Sequence, residues 1–102
     1  MNEDYAICIS DIEEESNSLF IKGLEFRLTC LMCPEQYDVF LDNVQVAYVR
    51  LRRGYLSVDS PDCGDETIYK HQFINKQGCF KSAKQRIKYL KKIARIILRK
   101  LR

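Results

Sequence analysis

The chain of 102 residues has no tryptophan, one histidine, two prolines and four glycines. Each shortage excludes something. The four glycines are scattered, so no Gly-rich loop cradles a phosphate. His71 is the lone histidine, and nothing in the sequence sets a serine, or the Cys63 or Cys79 thiol, against it as a nucleophile. No apolar run approaches the ~20 residues that a membrane-spanning helix needs. The opening stretch MNEDYAICIS is acidic and lacks a basic n-region, so no secretory signal is expected. Residues 81–102 contain no aspartate or glutamate at all.

That last absence is matched by an excess. KSAKQRIKYLKKIARIILRKLR, residues 81–102, holds ten of the seventeen Lys and Arg. All fourteen acids precede it. The net charge of +3 therefore hides an acidic body followed by a strongly basic tail segment.

Length and an ordinary apolar share of 46% predict one domain over residues 1–102 with a thin core. The stretches 5–10, 19–32, 37–41, 44–52, 55–59 and 67–73 read as strands, rich in alternating or β-branched residues. Within 19–32, Gly23 marks a bulge or turn. Asp42-Asn43 and Arg53-Gly54 supply two-residue hairpin turns, and SPDCGDE (60–66) is a dense loop cluster. Short turns make antiparallel neighbours. An uninterrupted ladder through both hairpins would put Phe40, Ala47, Val49, Leu51, Leu56 and Val58 on one face. Tyr37, Val39, Val46, Tyr48, Arg50, Arg52, Tyr55 and Ser57 would then lie on the other.

Ser82 and Gln85 match a capping box, which starts a helix near Ala83. Ala83, Ile87, Leu90, Ala94, Ile97, Leu98 and Leu101 recur at helical spacing. Lys84, Lys88, Lys91, Lys92, Arg95 and Arg99 centre on the opposite side, and Arg86 strays from them. The expected fold is α+β: an antiparallel sheet of about five strands with one C-terminal amphipathic helix packed on one face. Such a helix outlasts the strands in length, so Ile97, Leu98 and Leu101 could overhang the sheet.

The segment PEQYDVFLDNVQVAYVRLRRGYLSVDSPDCGDETIY, residues 34–69, resembles a set of small uncharacterised bacterial and phage-type proteins. They share a QYDVF…YVRLR-x-G…PDCG pattern over about a third of the chain. The resemblance supports the hairpin reading and implies no catalytic residue.

The helix carries the first functional candidate. Lys84, Lys88, Lys91, Lys92, Arg95 and Arg99 form a polyanion-binding set for a nucleic acid or an acidic protein. The bland reading is a solvated face over a core stripe. Asp11, Glu13, Glu14 and Glu15 could also screen it from within the chain. A membrane surface is disfavoured, because the sheet needs the apolar stripe and the helix has no Trp. The second candidate is an interaction face of Tyr48, Arg50, Arg52 and Tyr55, suited to a protein partner or a homodimer. Its bland reading places the 19–32 strand over part of that face and pairs Arg50 with Asp59.

No enzyme, cofactor or metal is expected. Cys30-x-x-Cys33 has the spacing of half a zinc site, which Cys63, Cys79 or His71 would have to complete. No second ligand pair exists. Asp59, Asp62, Asp65 and Glu66 lack the following acid-x-Lys of a metal nuclease, and all sit among standard turn residues. An odd count of five cysteines predicts free thiols in a reducing, cytoplasmic setting.

Overall fold

The computed structural model describes residues 18–30 and 34–102. Six strands follow in order: β1 Ser18–Ile21, β2 Leu24–Cys30, β3 Glu35–Leu41, β4 Val44–Arg52, β5 Tyr55–Ser60 and β6 Glu66–Gln72. One helix, α1 Ala83–Lys100, closes the described chain. Every strand pairs antiparallel with its sequence neighbours, giving the spatial order β1-β2-β3-β4-β5-β6. The expected strand at 5–10 and the acidic stretch 11–15 lie outside the described residues.

The expected α+β fold is present, with one more strand than expected. Residues 19–30 form two elements rather than one, because Lys22 and Gly23 both take positive φ, 53° and 85°. Asp42-Asn43 (52° and 66°) and Arg53-Gly54 (53° and 79°) do the same. Positive φ at both central residues is the signature of a type I′ turn, whose twist matches that of the flanking strands. The fold thus makes three such hairpins, and only two of their six turn residues are glycine.

The faces differ from the expected assignment. Val39 pairs with Ala47 and Phe40 with Gln45, so Val46 is an extra residue in β4. One unpaired residue inverts the alternation beyond it. Tyr37 and Val39 therefore join Ala47, Val49, Leu51, Leu56 and Val58 on the helix face, and Phe40 leaves it. Arg27 covers Phe40 instead, its guanidinium 4.1 Å from the ring centre. Ile68 is an equivalent extra residue in β6, which brings Tyr69 and His71 to the helix face beside Val58 and Leu56.

The core lies between that face and α1. Leu24, Phe26, Tyr37, Val39, Leu51, Leu56 and Val58 meet Leu90, Ile93, Ala94 and Ile97, all fully buried. Ile97 is part of this core, which corrects the expected overhang; Leu98 is half-buried and Leu101 exposed. The Ser82 hydroxyl accepts from the Gln85 N–H at 3.0 Å, as a capping box requires. The reciprocal bond lands one residue early, with Gln85 Oε1 accepting from the Lys81 N–H at 2.7 Å.

Arg86 strays from the basic stripe because it faces inward. Its Nε and Nη2 donate to Glu35 Oε2 and Oε1 at 2.6 and 3.2 Å. The Tyr37 hydroxyl and the Phe80 N–H donate to the same carboxylate at 2.5 and 3.1 Å. Glu35 is 1% exposed and Arg86 6%. Burial, and then the Glu35 charge it faces, push the Tyr37 phenol far above its ordinary range.

Candidate polyanion interface

All six expected polyanion-binding side chains, Lys84, Lys88, Lys91, Lys92, Arg95 and Arg99, are exposed on α1. The helix reaches this arrangement by burying Leu90, Ile93, Ala94 and Ile97 against the sheet, which leaves the lysine side to solvent. Among the described residues none of the six lies within salt-bridge distance of a carboxylate. The three ion pairs described are Arg27–Glu25, Arg86–Glu35 and Lys100–Glu66. No acid occupies the first turn of α1. Lys84 there faces the positive end of the helix dipole, while Arg99 and Lys100 suit the negative end. The like-charge pairs Lys84–Lys88, Lys88–Lys92, Lys91–Arg95 and Arg95–Arg99 cost about 1–2 kcal/mol together at low salt.

Two of the lysines rest on aromatic rings. Lys88 Nζ lies 5.7 Å from the centre of its neighbour Tyr89, and Lys92 Nζ 5.5 Å from that of Tyr69 in β6. These contacts, with Lys100 Nζ at 2.6 Å from Glu66 Oε1, show α1 running antiparallel alongside β6. His71 continues the series, its ring 5.3 Å from that of Tyr89. The edge strand and the helix thus form one seam, with cations on the helix bank. The sequence hides this seam, because the extra residue Ile68 is what turns Tyr69 and His71 toward the helix.

The second candidate set lies on the opposite side of the sheet. Arg52 pairs directly with Tyr55, Arg50 with Ser57 and Tyr48 with Asp59, so the four named residues form one patch. The strands β1 and β2 do not cover it, since they extend the same sheet. Nor does Arg50 pair with Asp59, whose carboxylate accepts from Gly64 N–H and Thr67 Oγ1 at 3.0 and 2.8 Å. The loop after β5 folds toward this patch: Gln45 Nε2 donates to Asp62 Oδ1 at 3.0 Å. Burial and the nearby Asp62 raise the Asp38 carboxyl above its ordinary value. Burial and the Cys63 side chain do the same to the Tyr48 phenol. Asp62 and Asp65 brace the loop itself, accepting from Cys63 N–H and Asp62 N–H at 2.6 and 3.0 Å.

The cysteines depart from expectation. Cys30 and Cys63 are reduced thiols, but Cys79 is disulfide-bonded. An odd count leaves one thiol over and says nothing against a bond among the rest. No helix among the described residues is long and apolar enough to cross a membrane. No family model, curated protein or solved structure matches the chain.

Proposed function

We propose that this chain is a non-enzymatic binding module that holds a nucleic acid, or another polyanion, on the outward face of α1. One observation carries the reading: six exposed cations share a helix side with no acid and, among the described residues, no ion-pair partner. A phosphate backbone offsets the repulsion between them, and neutralising it releases counterions. Such phosphate contacts position the partner without reading its sequence.

The test is a titration of labelled DNA and RNA at two salt concentrations. Changing Lys88, Lys92 and Arg95 together to Gln should weaken binding alike on unrelated sequences. On duplex DNA the log–log salt slope should fall by up to about 0.9 for each phosphate no longer neutralised. Absence of binding to any nucleic acid at low salt defeats the proposal. A second reading rests on the contiguous Tyr48, Arg50, Arg52 and Tyr55 patch. It makes that sheet face a protein-binding or homodimer surface, since Tyr and Arg anchor interfaces well. Analytical ultracentrifugation that finds only monomer removes its homodimer form.

A further inference from the structure

Two shallow depressions adjoin at the N-terminal half of α1, and Gln85 lines both. The larger, about 510 Å³, has His71 and Phe73 on its wall with Lys81 at the rim. The smaller is lined by Tyr89 together with Lys84 and Lys88. Their rings belong to one cluster. His71 stands 4.6 Å from Phe73 and 5.3 Å from Tyr89, and Phe73 stands 5.1 Å from Tyr89. Phe80 backs them, stacked on Tyr89 at 6.1 Å and itself buried. His71, Phe73 and Tyr89 are only partly buried, so each keeps surface toward the depressions.

This is a fixed aromatic floor with cations along its bank. A bare polyanion uses only the cations. A duplex keeps its bases stacked inside and offers the rings nothing. An unpaired strand supplies both halves, because every base has a face that stacks on an aromatic ring while its phosphates meet the lysines. We infer that the partner of the basic helix is a single-stranded nucleic acid, with bases stacked in the seam between α1 and β6 on His71 and Tyr89. The inference rests on the polyanion reading and deepens it.

Three probes at matched ionic strength test it: labelled oligothymidine, the same length of duplex DNA, and inorganic polyphosphate of similar charge. Oligothymidine should bind the unaltered protein more tightly than either of the others. His71→Leu, which keeps apolar bulk beside Tyr89, should weaken oligothymidine binding roughly five- to 150-fold, the range for loss of one stacked base. It should leave polyphosphate binding unchanged, whereas Lys88→Gln should weaken both. Equal affinity for polyphosphate and oligothymidine overturns the inference, as does a duplex bound as well as the single strand. The comparison among probes needs only the unaltered chain, so a poorly folding variant does not blunt it. Polyphosphate and nucleic acids bound alike would leave the polyanion reading standing while sinking this one. No binding to any of the three at low salt removes both.

Discussion

Replacing Arg86 with Met should be among the most damaging single changes in the described part of the chain. The Glu35 carboxylate is fully buried and accepts four hydrogen bonds: two from Arg86, one from Tyr37 and one from the Phe80 backbone. Arg86→Met removes the countercharge and half of those donors. Breaking a buried pair from one side costs about 3–5 kcal/mol, because the remaining charge stays desolvated. That is a large share of the ~5–15 kcal/mol that holds a typical domain together. For a domain of this size it corresponds to a fall of ~12–40 °C in Tm. Glu35→Leu should also destabilise, because both Arg86 hydrogen bonds to the carboxylate and those from Tyr37 and Phe80 are lost together. The double variant should lose less than the two singles added. Among the described residues, the Tyr37 hydroxyl and Phe80 N–H then lack this acceptor, at about 1–3 kcal/mol each. Urea unfolding followed by circular dichroism gives all four stabilities, and the cycle should return a coupling of about 0.5–3 kcal/mol. Additive losses, or an Arg86→Met cost below ~1 kcal/mol, would show that water reaches the pair and that the reasoning from burial fails.

Gly54→Ala should destabilise by about 1–3 kcal/mol in the same urea assay, since φ is +79° and the new methyl would strike the Asn75 carbonyl oxygen. A loss below ~0.5 kcal/mol would mean that the 73–78 loop yields easily. Lys22→Asn should raise stability by about 0.5–1 kcal/mol by giving the first hairpin the favoured Asn-Gly turn; a lower Tm would contradict the turn assignment. Hydrogen bonds from Arg27, then Ser18, hold the Glu25 carboxyl below its ordinary value of 4.5. A depressed acid adds stability that is present above the unfolded pKa and lost as pH falls through the folded one. Glu25→Gln should therefore flatten the acid side of the stability–pH curve, and an unchanged slope below pH 4.5 would argue against the pairing. Titration of the denatured, unreduced protein with a thiol reagent should count fewer than five free thiols, and a count of five would remove the Cys79 disulfide.

Local chemistry fixed much of this protein from sequence alone. Ser82 and the apolar spacing after it place the helix, because capping and a 3.6-residue stripe act within a few residues. The outward position of the six cations follows from the same stripe. Asp42-Asn43 and Arg53-Gly54 announce their turns, since few dipeptides tolerate positive φ twice. Lys22-Gly23 marks a bulge or turn but not a hairpin, because the apolar run from Leu19 continues across it, and it is the pairing of Ile21 with Leu24 that makes two strands there. The tertiary structure decided which face each strand buries. The extra residues Val46 and Ile68 reverse the alternation of β3 and β6, and a bulge is set by how two distant strands must bend together. It also decided that Arg86 faces inward, because only the fold brings Glu35 to it across 51 residues of chain. The seam of Tyr69, His71 and Tyr89 beside the lysines has the same origin. Each residue is ordinary in its own segment, and the antiparallel docking of α1 on β6 is what sets them in a row.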